Sequence, residues 1–128
     1  MSIPRYNPQS FWHKERNLTK VMGRWVVGAA GAVGAITGHG FGVTLTGAGD
    51  YLITFTDAFT ELHSCQCNIM AISGAAVDMY AQIGAFTPGA AGAATLQIRC
   101  KTGAVDTNPA ATDSVTFEAT LYGEPLDP

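Results

Sequence analysis

The sequence predicts an all-β fold: a single, jelly-roll-like β-sandwich of about seven strands, preceded by an extended N-terminal arm. Short segments in which apolar and polar residues alternate recur from residue 21 to residue 122. Turns rich in Gly, Pro and Asn separate these segments, which is the pattern of an all-β domain. No segment has the 3.6-residue period of an amphipathic helix. A chain of 128 residues is long enough to bury one core.

The clearest pair of strands lies between Gly40 and Asp57, in the sequence GFGVTLTGAGDYLITFTD. Residues 43–46 and 51–56 both alternate with a period of two and are rich in β-branched and aromatic side chains. The break between them, residues 47–50, contains two glycines and an aspartate. This arrangement predicts a β-hairpin.

Residues 1–20 form the predicted arm. They show no apolar periodicity, and Pro4 and Pro8 discourage a helix. Two interpretations remain open: the arm docks on a partner through basic and aromatic side chains, or Phe11 and Trp12 close one end of the domain's own core. The candidate partner-binding residues are Arg5, Tyr6, Phe11, Trp12, Lys14, Arg16 and Lys20.

The sandwich domain spans residues 21–123, and its first predicted strand is 21–27. A Gly/Ala-rich connection follows, in which Gly28, Gly31 and Gly34 have the spacing of a nucleotide-binding loop. That motif requires the glycines to open a helix, and residues 37–42, TGHGFG, cannot continue one. We therefore expect no nucleotide cofactor here. The apolar run of this segment is also shorter than the ~20 residues of a membrane-spanning helix.

Four further strands are predicted after the hairpin, at residues 63–72, 78–86, 95–101 and 114–122. Residues 58–62 and 103–113 are expected to be loops. The tail, residues 124–128, contains Pro125 and Pro128, which prevent it from extending the last strand. The predicted core consists of Val43, Leu45, Ile53, Phe55, Ile69, Met79, Ile83, Leu96, Ile98, Val115, Phe117 and Leu121.

The three cysteines are interpreted as core thiols. His63, Cys65 and Cys67 share one side of a strand, which suggests a metal site, but structural zinc needs four ligands. Cys100 adds another ligand only if its strand lies opposite. Cysteine is among the residue types most often buried, and the rest of this face is apolar. We therefore expect no metal, and the odd number of cysteines argues against a secreted disulfide scaffold.

The distribution of charge points to protein partners. Only 13% of the residues are charged, about half the usual ~25%, so much of the surface is expected to be covered by other subunits. Residues 1–24 carry a net charge of +4, whereas residues 25–128 carry −7. A basic arm on an acidic body suits docking onto an acidic neighbour or onto nucleic acid. The first residues lack the apolar segment of a signal peptide, so synthesis in the cytoplasm is expected.

No arrangement of Ser, Cys, His or paired carboxylates suggests an activated nucleophile or a general acid and base. The protein is therefore predicted not to be an enzyme.

Several segments together resemble small virion structural proteins of tailed bacteriophages, most of all the jelly-roll head decoration, or cement, proteins. These segments are the basic and aromatic arm, the Gly-rich lead-in, residues 47–55 (GAGDYLITF) and residues 108–123 (NPAATDSVTFEATLYG). Residues 49–55 are also similar to a strand of the C1q/TNF-like trimeric jelly rolls.

This resemblance implies a non-enzymatic protein located in the virion and assembled in the host cytoplasm. It also implies a homotrimer or larger homo-oligomer whose arm grips the major capsid protein or another virion protein. Neither nucleic acid nor a membrane is an expected partner.

The alternative to this structural role is a receptor- or glycan-binding module of a phage tail or adhesin, for which Tyr80, Gln82 and Tyr122 are the candidate contact residues.

Overall fold

The computed structural model describes residues 18–72, 78–89 and 93–123, and these residues form a β-sandwich of two antiparallel sheets, as predicted. The strands are β1 (Leu18–Val27), β2 (Val33–Gly38), β3 (Phe41–Gly47), β4 (Asp50–Phe55), β5 (Glu61–Met70), β6 (Met79–Thr87), β7 (Thr95–Thr102), β8 (Val105–Asp106) and β9 (Ser114–Tyr122). The predicted arm up to residue 17 and the tail 124–128 lie outside the described residues.

One sheet has the strand order β2-β1-β9-β5, and the other has the order β3-β4-β7-β6, with β8 pairing with the end of β7. The first strand thus lies beside the last, and β4 lies beside β7, so strands that are distant in the sequence are neighbours in both sheets. At one side of the sandwich β2 lies over β3, and at the other side β5 lies over β6.

The predicted hairpin is confirmed. Phe41 pairs with Phe55 and Leu45 pairs with Tyr51, with an irregularity in the ladder before Gly47. Asp50 begins β4 and does not belong to the turn. At the turn, Gly49 has a φ of +67°, in the region that glycine adopts without steric cost.

The prediction of about seven strands is too low, because the described residues contain nine. Strand β2 lies in the segment expected to be a Gly/Ala-rich connection, and the short β8 lies in the expected loop 103–113. The sequence of β2 lacks a period-two alternation of apolar and polar residues, and β8 has only two residues. Each strand forms by pairing with a neighbour, β1 or β7. In addition, β1 begins at Leu18 and β5 begins at Glu61, each earlier than predicted.

An aromatic cluster joins the two sheets at the centre of the core. The ring of Trp25 lies 5.1 Å from that of Tyr51 and 6.4 Å from that of Phe117. Phe117 also contacts Phe41, edge to face, at 4.9 Å and lies 6.5 Å from Phe55. Trp25 and Phe117 belong to one sheet and the other three rings to the opposite sheet, so these contacts hold the sheets together.

The predicted core residues all lie on the inner faces, but to different depths. Those on β4, β7 and β9 are fully buried, whereas Val43, Leu45, Ile69, Met79 and Ile83 are only partly buried. The fully buried set also contains Trp25 and Tyr51, which the predicted core omitted.

Candidate functional site

Of the seven predicted partner-binding residues, the structure describes only Lys20. Its ammonium group forms an ion pair of 2.9 Å with the Glu118 carboxylate, and both side chains are largely exposed. Lys20 therefore lies in β1 and has a partner on the neighbouring strand β9, although the sequence placed it in the arm. Exposed pairs of this kind contribute about 0.2–1 kcal/mol to stability. The other six residues, Arg5, Tyr6, Phe11, Trp12, Lys14 and Arg16, lie outside the described residues.

The predicted glycan contacts do not form one site. Tyr80 and Gln82 lie on the outer face of the five-stranded sheet, whereas Tyr122 ends β9 in the other sheet. The Tyr80 hydroxyl donates a hydrogen bond of 2.6 Å to the carbonyl oxygen of Gly103. Tyr80 is 44% exposed, and Gln82 lies two residues further along the same face of β6.

A polar row that the sequence did not predict runs across this same face. The Gln97 amide donates to both carboxylate oxygens of Asp50, at 2.9 and 3.1 Å. The Gln97 carbonyl in turn accepts a bond of 3.3 Å from the backbone N–H of Ala85. Arg99 lies between Asp50 and Gln82 in the strand register. These residues are neighbours because β4 and β6 both pair with β7. The sequence alone does not reveal which strands pair, so it did not predict the row.

The row ends in an ion pair between Lys101 and Asp106, with a distance of 2.9 Å. The hydrogen bond from Lys101 lowers the pKa of the Asp106 carboxyl below its usual value, and the positive charges of Lys101 and Arg99 act in the same direction. Most of the polar groups in the row thus bind one another, which is the arrangement of a stable sheet surface.

The cysteines are free thiols on the inner faces of the two sheets, which supports their interpretation as core residues. Cys100 is fully buried, and burial raises its pKa to about 12. Cys65 and Cys67 are half-buried, and burial also raises the pKa of the Cys65 thiol to about 12. Thiols with such values remain protonated at neutral pH and are poor nucleophiles. Cys100 does lie in the sheet opposite Cys65 and Cys67, yet the described residues contain no cluster of three or more potential metal ligands.

The glycine motif of the lead-in does not form a nucleotide site of the usual kind. Residues 29–31 form a single 3-10 turn, and the chain then enters strand β2 at Val33. The carbonyl oxygen of Gly31 accepts a hydrogen bond of 2.6 Å from the buried hydroxyl of Tyr51. The motif therefore anchors β2 to the core, and no helix follows it to receive a phosphate.

The most unusual feature of the surface is where the charges lie within the sheets. The four central strands, β1, β4, β7 and β9, carry six charged side chains: Lys20, Arg24, Asp50, Arg99, Lys101 and Glu118. The four outermost strands, β2, β3, β5 and β6, have nearly the same total length and carry one, Glu61 at the start of β5. Natural sheets usually do the opposite, because charges on outermost strands prevent pairing with other chains.

In the part of the chain that the structure describes, the hydrophobic side chains of the outermost strands are only partly covered. Twelve partly buried hydrophobic side chains pack against the core, and all twelve lie on β2, β3, β5 and β6. On the central strands the inward-facing hydrophobic side chains are fully buried. We call the two open sides the β2–β3 flank (residues 33–38 and 41–47) and the β5–β6 flank (residues 61–70 and 79–87). Each flank combines uncharged strand edges with partly exposed apolar side chains.

A small cavity opens at one end of the β5–β6 flank. Ile69, Ala71, Met79 and Asp113 line it. Because three of its four lining side chains are apolar, it lacks the converging polar groups that orient a small-molecule ligand.

Comparisons with known proteins identify no relative. No family model matches the chain, and neither the curated proteins nor the solved structures contain a significant match. Within the described ranges, no helix is long and apolar enough to cross a membrane. The two flanks are therefore the feature on which a functional proposal rests.

Proposed function

We propose that this chain is a non-enzymatic structural protein of a virion that decorates or cements a bacteriophage capsid. The observation that supports this proposal best is the absence of charge from the outermost strands, apart from Glu61. Uncharged strand edges beside exposed apolar side chains favour contact with other protein subunits. The resemblance of the sequence to phage decoration proteins suggests that these subunits belong to a phage capsid.

In this role the protein acts mechanically. It forms a homotrimer or larger homo-oligomer, and its N-terminal arm holds it on the major capsid protein. A ligand that binds only the assembled shell stabilises that shell by mass action, by about 2.7 kcal/mol per site at a hundredfold excess over its Kd. Residues 1–24, which include the arm, carry a net charge of +4, and residues 25–128 carry −7, which suits contacts between unlike neighbours.

The proposal is tested on particles from a culture that produces the chain. Particles are banded on a density gradient, and mass spectrometry measures the copy number of the chain relative to the major capsid protein. We expect the chain in many copies per particle. A chain found only in the soluble fraction would contradict a virion role.

The arm is tested by adding purified variants to particles that lack the chain. The double variant Trp12→Ala/Arg16→Ala should lose binding while its far-UV circular dichroism stays unchanged. Arg24→Ala removes an exposed positive charge from the outer face of β1 and should bind normally. Full binding by the double variant would exclude the arm as the contact.

A second candidate function is glycan recognition on the outer face of the five-stranded sheet. One observation favours it: the exposed residue Tyr80 lies on the same face of the sheet as Gln82 and the row of Asp50, Gln97 and Arg99. Aromatic faces next to such polar groups bind sugars. A glycan array tests this with the intact protein and with Tyr80→Ala, and the absence of any signal that depends on Tyr80 would exclude it.

A further inference from the structure

We infer that the β2–β3 flank of one copy binds the β5–β6 flank of the next, so that copies join head to tail into a closed ring of three or more. This inference rests on the proposed self-assembly and identifies the surfaces that carry it. Among residues 18–72, 78–89 and 93–123, no further strand pairs with the outer edge of either flank, and the two flanks lie on opposite sides of the sandwich.

The occupant of the flanks must have two layers. At each flank both sheets end together, and packed sheets lie about 10 Å apart. A single peptide segment can pair with one of these two edges but leaves the other bare. A second copy of the sandwich ends in two edges with the same spacing, so each of its sheets can continue a sheet of the first copy.

The lengths and charges of the flanks also suit one another. Strands β2 and β3 have six and seven residues, and β5 and β6 have ten and nine, so the shorter flank fits within the longer one. Each chain has a net charge of −3, but the flanks bring only Glu61 to the contact. Copies can therefore approach along the flanks without strong repulsion.

A head-to-tail contact also covers more apolar surface than a symmetric one. Partly exposed hydrophobic side chains occur on both flanks, for example Ile36, Phe41 and Val43 on one and Ile69 and Ile83 on the other. A dimer that joins two identical flanks leaves the other flank of each copy open. A heterologous contact uses both flanks of every copy, and such contacts close into rings when the rotation between neighbours permits.

The test uses one blocking variant on each flank. Ile36 is 42% exposed on β2, and Ile36→Lys places a charge on the β2–β3 flank. Ile83→Lys does the same on the β5–β6 flank, where the long lysine stem can cover apolar surface while the ammonium group reaches water. The control is Met22→Lys, which adds the same charge at a position that is 57% exposed on the central strand β1.

Light scattering after size-exclusion chromatography gives the mass of each full-length protein. We expect at least three times the chain mass for the wild type and for Met22→Lys, and one chain mass, 13.4 kDa, for each flank variant. A mixture of Ile36→Lys and Ile83→Lys should give twice the chain mass, because each variant keeps the flank that the other has lost. A double variant should remain a monomer even in mixtures.

Three results would overturn the inference: a wild-type monomer, an Ile36→Lys protein that assembles like the wild type, or a mixture that stays monomeric. If Ile83→Lys does not fold by circular dichroism, Gln82→Lys at an exposed position of the same strand replaces it. A wild-type monomer that still binds particles would overturn the ring and leave the proposed function intact. A chain that forms rings but is absent from particles would support the ring and contradict the proposed function.

Discussion

Gly49 offers the sharpest test of how the turn of the hairpin is packed. Its φ is +67°, and a Cβ atom there would lie 2.5 Å from the carbonyl oxygen of Thr107 and 2.6 Å from that of Cys100. Both oxygens belong to the backbone, so no side-chain rotation can relieve the contact. Gly103 is a matched control, because its φ is +62° and a Cβ atom added there would have no other atom within 4 Å.

Gly103→Ala should therefore cost only the strain of a left-handed backbone, about 1–2 kcal/mol. Gly49→Ala adds an overpacking cost of about 1–3 kcal/mol, which gives a total of about 2–5 kcal/mol. For a domain of this size, that difference lowers the Tm of Gly49→Ala by several degrees more than the Tm of Gly103→Ala.

Urea denaturation of both variants at one fixed protein concentration measures these free energies, because assembly makes apparent stability depend on concentration. Equal losses in the two variants would refute the close packing of Gly49 against residues 100 and 107. A Gly49→Ala protein as stable as the wild type would refute both the packing and the backbone strain.

Three further predictions concern the core and its titratable groups. Phe117→Ala should lower the free energy of unfolding by about 3–5 kcal/mol. Phe41→Ala should lower it clearly less, because Phe117 is 3% exposed and Phe41 is half-buried; equal losses in urea denaturation would contradict this. Asn108→Ala should cost about 1–3 kcal/mol, because the Asn108 side chain accepts a bond of 2.7 Å from the Gly49 N–H; a loss no larger than that of the exposed variant Ala111→Ser would contradict it. Stability should fall as the pH rises above about 9, by up to ~1.4 kcal/mol per pH unit from Cys100, because the unfolded chain releases the thiol proton while burial holds the native pKa at about 12. Cys100→Ala should make that slope shallower, and an unchanged slope in denaturation at several pH values would contradict the assignment.

The local pattern of the sequence predicts the strands that make the core. Ile53 and Phe55, Leu96 and Ile98 alternate with polar residues, and this period of two fixes their inward direction before any tertiary contact is known. Strand β2 lacks this signal, because its two large apolar residues, Val33 and Ile36, are three positions apart and do not follow a period of two. It forms because its backbone pairs with β1, and the local sequence does not show that this pairing occurs.

The sequence shows that the segments of the two flanks lack charge, but it does not show where these segments lie in the sheets. The segment from Val33 to Gly47 contains no charged residue, and the segment from Leu62 to Val77 contains none either, so this signal was present. The lack of charge is unusual only because these strands are the outermost ones. The strand order depends on pairings between residues that are far apart in the chain, and these pairings cannot be predicted from local sequence. The row of Asp50, Gln97 and Arg99 was hidden for the same reason.

Hydrogen exchange tests the central claim, that the uncharged outermost strands are contact surfaces between copies, most directly. Mass spectrometry compares the full-length wild type with the double variant Ile36→Lys/Ile83→Lys. We predict that amides of β2, β3, β5 and β6 exchange slowly in the wild type and much faster in the double variant, while those of β1, β4, β7 and β9 remain protected in both. Equal exchange of the outermost strands in the two proteins would contradict the claim.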